Sequence, residues 1–184
     1  VLRHDWHFIN GNLILYGLGE VQSRPLDSIK LVRRILGVRT QVLPMSETPT
    51  DLMAFYPEGR CRLGELSVDE MPIMPKNLLL APLVKSIEPC LKAINNADLI
   101  ILGPGSFLTS IIPPLLVRDI SNAIANRKGH CVFIDNLVLE NSPAAKLTID
   151  EKLQWIEDNI GCMPVDSVIC QDHTMVSNKI NVIC

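Results

Sequence analysis

Apolar positions in this chain fall into short blocks that switch between two periods. Leu26, Ile29, Val32 and Leu36 recur at spacings of three and four behind Pro25 and ahead of Gly37, which predicts a helix entered at a proline and closed by a glycine. A weaker helical pattern precedes it from Gly11-Asn12-Leu13 to Leu18, and residues 39–44 read as a short strand. Leu52, Ala54 and Tyr56 alternate, Pro57-Glu58-Gly59 turns, and Cys61, Leu63 and Glu65 alternate again. That is the period of an antiparallel hairpin, inserted over about residues 50–68. A connector with Pro72 and Pro75 follows, then an apolar strand at 78–81 and a helix over 86–97 with Pro89 in its first turn. Leu99-Ile100-Ile101-Leu102 is too short a run for a helix and reads as a strand buried on both faces of a parallel sheet. Beyond it the pattern predicts a short helix over 107–112 stopped by Pro113-Pro114, and a second helix through Leu116, Ile120, Ala123 and Ile124. A strand at 131–134 ends at Asp135-Asn136; a helix entered at Thr148 turns Leu153, Ile156 and Ile160 inward and closes at Gly161. The last strands fall at 165–170 and, more weakly, at the sheet edge over 179–183.

Strands alternating with helices define an α/β fold, a parallel sheet with helices on both faces. Such sheets bind ligands beyond the carboxyl ends of their strands. Ser46 and Glu47, the segment 103–110, and Asp135-Asn136 all follow strands and are expected to converge there. Asp98 precedes its strand and reads as a turn residue on the opposite rim. Within the central segment, Gly103 and Gly105 permit a sharp turn and Pro104 stiffens it. The amides of Gly105, Ser106 and Phe107 would then head a helix, where unpaired donors and the positive dipole end favour an anion; Thr109 and Ser110 add hydroxyls one turn in. The expected occupant is the phosphate group of a nucleotide. Turns of this kind also join strands to helices in proteins where they bind nothing, and spacing alone leaves both readings open. No Lys follows the glycines and position 108 is Leu, which excludes the triphosphatase phosphate loop and the dinucleotide Gly-x-Gly-x-x-Gly pattern.

Composition narrows the partners. The chain has 184 residues, enough for one domain with a sizeable core or a piece of a larger one. Hydrophobic residues make up 47% and charged residues 20%. The mean hydropathy is +0.23. This apolar excess points to doubly covered strands, an interface in a homo-oligomer, or surface that another segment covers. A net charge of −3 argues against nucleic acid, whose binding face needs clustered Lys and Arg; Lys30, Arg33 and Arg34 share one helix face and read as solvated. Six cysteines form no Cys-x-x-Cys pair, so no zinc site is expected, and reduced thiols fit a cytosolic protein. His4 and His7 have metal-like spacing but no third ligand nearby, and read as part of a solvated terminus. No secretory leader pattern opens the chain and no apolar run approaches the ~18 residues of a membrane helix.

Several of these segments resemble a known family. Pro25-Leu26-Asp27-Ser28-Ile29, the run from Leu43-Pro44-Met45-Ser46-Glu47 through Leu52, and the run from Ile94 to Phe107 with Thr109-Ser110 are similar to the YvcK/YbhK family of bacterial gluconeogenesis factors. Asn136 and Ala144-Ala145-Lys146-Leu147 extend the resemblance, which covers about residues 10–183 and is closer to the YbhK branch. The family is CofD-like, after a phospholactate transferase. The resemblance implies a three-layer α/β fold with a Rossmann-like sheet and a cytoplasmic protein tied to cell shape on gluconeogenic carbon. It also implies a UDP-sugar or other nucleotide as ligand. On that likeness Gly103, Pro104, Gly105, Ser106, Thr109 and Ser110 hold the diphosphate, and Asn12 and Asn136 line the same cleft. Members begin with a strand, a Gly-rich loop and an Asp-Asn-Gly-Gly-Ser segment upstream of the Gly-Asn-Leu found here at 11–13. Residues 1–184 are therefore expected to form a single, partial CofD-like domain.

Three functions follow as alternatives. One is a regulatory UDP-sugar binder without chemistry of its own, since no Ser-His-Asp set can be assigned from the sequence. Another is a CofD-like transferase acting on a nucleotide-linked donor, which would need a cationic clamp that no Lys or Arg between 103 and Arg118 supplies. The third is a fragment without activity, held back by an incomplete pocket.

Overall fold

A computed structural model describes residues 17–18, 24–171 and 180–183. The chain divides into two compact units, residues 1–47 and 48–184.

In the first unit, helix α1 (Pro25–Ile35) starts with Pro25 in its first turn, where the missing N–H costs no bond. Asp27 lies in that turn, and Arg33 and Arg34 in the last, each at the dipole end that favours its charge. Arg24 grips Glu47 with two parallel bonds of 2.9 and 3.0 Å. The strand expected over 39–44 is not formed: no ladder partner meets it among the described residues, and Val38 and Val42 are exposed. The helical pattern from Asn12 lies outside the described residues apart from Gly17 and Leu18, which are helical.

The second unit contains two sheets. Strands β1 (Asp51–Phe55) and β2 (Cys61–Leu63) form the expected antiparallel hairpin, turned at Pro57–Gly59. The hairpin ends at Leu63 rather than running to 68: a short helix, α2 (Glu65–Asp69), takes up the residues expected to continue it. Strand β3 (Asn77–Ala81) then pairs antiparallel with β1, with Leu52 opposite Leu80 and Ala54 opposite Leu78. Leu52, Ala54, Tyr56, Leu78 and Leu80 are buried on one face of this sheet, while Leu79 is exposed on the other.

The parallel sheet has the order β4 (Leu99–Leu102), β5 (His130–Ile134), β6 (Ser167–Ile169), β7 (Asn181–Ile183). Helix α3 (Glu88–Asn95) leads into β4, and α4 (Ile112–Leu116) and α5 (Arg118–Ala125) connect β4 to β5. Helix α6 (Ile149–Ile160) connects β5 to β6. Leu102, Cys131, Phe133, Val168 and Cys170 are buried on one face of the sheet; Leu99, Ile101, Ile169 and Ile183 leave the other partly open. The arrangement is an α/β fold of Rossmann type with helices flanking the sheet and a hairpin inserted ahead of it.

Pro113 and Pro114 do not stop the helix that follows β4. Instead Phe107–Ile111 forms a π turn that runs directly into α4. Both Ser110 N–H (2.8 Å) and Ile111 N–H (3.0 Å) donate to the Ser106 carbonyl. Prolines offer no N–H to the carbonyls one α-turn back, so widening the helix ahead of them leaves fewer acceptors stranded.

Candidate functional site

The turn after β4 is built from backbone. Gly103 takes φ +88°, and a Cβ placed there would lie 2.6 Å from the Ile134 carbonyl oxygen at the end of β5. Only glycine allows the two strand ends to approach so closely. The Gly103–Pro104 bond is cis. Gly105 and Asn136 then clasp each other: Gly105 N–H donates to Asn136 Oδ1 and Asn136 Nδ2 donates to the Gly105 carbonyl, each at 3.0 Å. The carboxyl ends of β4 and β5 are thus tied together through Asn136.

The hydroxyls converge on a residue that the sequence did not single out. Ser106 donates to Asp69 Oδ1 (3.2 Å), Thr109 donates to Asp69 Oδ2 (2.9 Å), and the two hydroxyl oxygens lie 2.7 Å apart. Asp69 ends helix α2, so the inserted antiparallel unit contributes directly to the turn. A second unanticipated residue is Glu140. Its Oε2 accepts from Phe107 N–H (3.1 Å) and from the Ser142 hydroxyl (2.9 Å). Of the three amides expected to face an anion, those of Gly105 and Phe107 therefore already have acceptors. Ser110 stands one turn in, with its Cβ 3.3 Å from where a Gly105 side chain would begin.

A cation also reaches the turn from far along the chain. Lys152 Nζ, on α6, lies 2.6 Å from Asp135 Oδ1 and 6.0 Å from the centre of the Phe107 ring. The Lys152 and Asp135 side chains are only 7% and 17% exposed. Phe107 in turn packs edge-on against Phe133 at 6.3 Å between ring centres. Periodicity on α6 pointed to Leu153, Ile156 and Ile160 and carried no signal that Lys152 is inside. A cleft of about 470 Å³ adjoins the turn, lined by Asp69, Glu70, Glu140, Ser142 and Lys146 among others.

Ser46 and Glu47 belong to the first unit, where Glu47 is held by Arg24. Asn12 lies outside the described residues, as do His4 and His7. Among the described residues no group of three His, Cys, Asp or Glu side chains could hold a metal ion, and no helix is long and apolar enough to cross a membrane. Cys61, Cys90, Cys131, Cys162 and Cys170 are not bridged as disulfides. Burial pushes the Cys131 thiol up to about 11, so it stays protonated and unreactive near neutral pH.

The opposite rim carries a Ser-His-Asp set that only the fold assembles. His130 Nε2 is 3.0 Å from Ser167 Oγ, and His130 Nδ1 is 3.6 Å from Asp166 Oδ2. Its geometry is structural. The His–Asp distance is too long for a hydrogen bond, and Ser167 is buried within β6. Asp166 instead accepts from Cys131 N–H (2.7 Å) and Arg127 Nη2 (2.8 Å). Desolvation works against the Asp166 carboxylate, but these bonds outweigh it and hold its carboxyl below the usual range. Asp98 lies on this same rim, as expected, lining a polar cleft with Asn95, Asn96, Lys128 and His130.

A four-stranded parallel sheet with a glycine turn at the carboxyl end of its first strand, β4, defines a Rossmann-type α/β protein, with its candidate site at that turn. A family model described as 2-phospho-L-lactate transferase CofD matches residues 4–182. The chain belongs to this CofD-like family, in the group of gluconeogenesis factors. A protein of Pasteurella multocida, provisionally named a gluconeogenesis factor, is 42% identical over 159 residues, covering 86% of this chain and 52% of that protein. One of Vibrio cholerae, named in the same way, is 44% identical over 160 residues, covering 86% and 54%. The crystal structure of a UPF0052 family member from Bacillus halodurans superposes with a TM-score of 0.82 at 32% identity, covering 91% of this chain and 54% of that one. The chain spans about half the length of the curated relatives it matches.

Proposed function

We propose that this chain forms part of a regulatory protein that binds a UDP-sugar at the 103–110 turn and acts on cell shape during growth on gluconeogenic carbon, in the cytoplasm. The observation that carries the reading is the turn itself. Gly103 brings β4 against β5, and Gly105 and Asn136 clasp each other beside the Ser106 and Thr109 hydroxyls. Backbone and neutral polar groups gathered at the carboxyl end of a parallel sheet are a setting for a pyrophosphate. Gly103, Pro104, Gly105, Ser106, Thr109 and Ser110 hold the diphosphate in this reading, and Asn136 lines the same cleft.

Binding at this turn is an exchange, because Phe107 N–H is already bonded to the Glu140 carboxylate and the Ser106 and Thr109 hydroxyls to that of Asp69. The expected result is saturable heat on calorimetric titration of the chain with UDP-N-acetylglucosamine, reduced by Asn136→Ala. Absence of heat, also in a chain extended to the length of its relatives, would reject the reading.

A transferase reading has one observation in its favour, the family model's own description. Lys152 Nζ approaches the turn to 6.0 Å from the centre of the Phe107 ring, yet it is committed to Asp135. Release of product from a nucleotide-linked donor in a direct assay is the result that would establish transfer.

A further inference from the structure

We infer that Glu140 is an internal competitor for the anion seat: its carboxylate sits on the Phe107 amide and must leave before a ligand phosphate can enter. The inference rests on the nucleotide reading above and adds a means of control to it.

Three observations carry it. Glu140 Oε2 occupies the Phe107 N–H at 3.1 Å, one of the donors that an incoming anion needs. The other oxygen, Oε1, is buried with no hydrogen-bond partner. A carboxylate oxygen shut away from both water and donors is poorly satisfied, so its release into solvent recovers hydration that the closed arrangement forgoes. The segment that carries it is also weakly packed. Leu137, Val138 and Leu139, the residues immediately before Glu140, are 74%, 79% and 82% exposed. Little apolar burial therefore opposes a swing of residues 137–141, and segments of that kind open at low cost.

The surroundings give the displaced group somewhere to go and limit what can replace it. The adjoining cleft of about 470 Å³ already has Glu140 in its wall, with Lys146 beside it. Asp69 and Glu70 line the same cleft, so a ligand anion must be bound closely enough by amides and hydroxyls to offset repulsion from these carboxylates. Asn136 stays clasped to Gly105 at the hinge end of the segment. The turn keeps its shape while Glu140 departs. Affinity is then set by the difference between ligand phosphate and Glu140 on one amide, and anything that holds the 137–141 segment open raises it.

Titrating inorganic pyrophosphate into the full 184-residue chain, and into Glu140→Ala and Glu140→Gln, tests this. Glu140→Ala is expected to bind about tenfold tighter than the parent, and Glu140→Gln, which retains an acceptor but no charge, to fall between. Hydrogen exchange at the Phe107 amide gives a second readout: faster in Glu140→Ala than in the parent, and slowed again by pyrophosphate. Should Glu140→Ala fail to fold, the isosteric Glu140→Gln decides by the same two measurements. Equal affinity in the parent and the variants would overturn the competitor role and leave the nucleotide reading standing. No binding by any of them would overturn the competitor role, and the nucleotide reading falls with it when a chain extended to the length of its relatives also gives no heat.

Discussion

Lys152 shows how much one residue at this site depends on its surroundings. On α6 it follows Glu151 and precedes Leu153, and nothing in its local sequence separates it from the exposed lysines of other helices. The fold buries its side chain and gives it Asp135 as partner. Removing one member of such a pair strands the other charge. Lys152→Met is therefore expected to cost about 3 kcal/mol in urea unfolding, and adding Asp135→Asn to recover most of it. The reverse holds for Gly103. Its role was legible because a glycine directly after an apolar strand marks a turn that a side chain would obstruct. The close approach to Ile134 O is the reason. Asp69 and Glu140 were not legible, since Asp69 ends a short helix placed by the antiparallel sheet and Glu140 lies in the connector after β5.

Among elements, the helices were the most readable because their signals are local. Thr148 accepts from Glu151 N–H (3.3 Å) while Glu151 Oε2 accepts from Thr148 N–H (2.7 Å), a reciprocal cap, and Gly161 closes the same helix at φ +91°. Thr148→Ala is expected to lower stability by about 1 kcal/mol, read as a fall of about 2–4 °C in Tm by calorimetry. Strands were less readable. Residues 78–81 look like one more core strand, yet β3 joins β1 antiparallel, because an uninterrupted apolar run does not reveal that Leu79 faces out. Residues 39–44 have strand composition without a ladder partner among the described residues, and pairing is what makes a strand. Pro113-Pro114 predicted a stop; the alternative, a π turn ahead of them, keeps the helix continuous and brings Thr109 over Asp69.

At the scale of the whole molecule, the two rims of the parallel sheet are held by different chemistry. The carboxyl rim relies on the Gly105–Asn136 clasp and the buried Lys152–Asp135 pair. The amino rim relies on Asp166, which ties β5 to the end of α5 through Cys131 N–H and Arg127. Because its carboxyl lies below the usual range when folded, Asp166 contributes stability that is present above about pH 4, the unfolded value, and lost as pH falls through the folded one. Stability measured against pH should therefore fall more steeply below about pH 4 in the parent than in Asp166→Asn, which has no charge to lose there. The Ser167–His130 contact sits beside this hub without forming a nucleophile, since the serine is buried in its strand.

The sequence by itself determined the helices at 25–35, 88–95 and 149–160, the alternation of strands with helices, and the glycine turn after β4. Those properties depend on neighbours within a few residues: spacing of apolar positions, caps, prolines and glycines. Tertiary structure alone decided which groups meet at that turn. Asp69 lies 37 residues before Ser106, and Glu140 lies 33 residues after Phe107. No local pattern records a hydrogen bond between residues so far apart. It follows from strand order and connection path, which set where each carboxylate emerges.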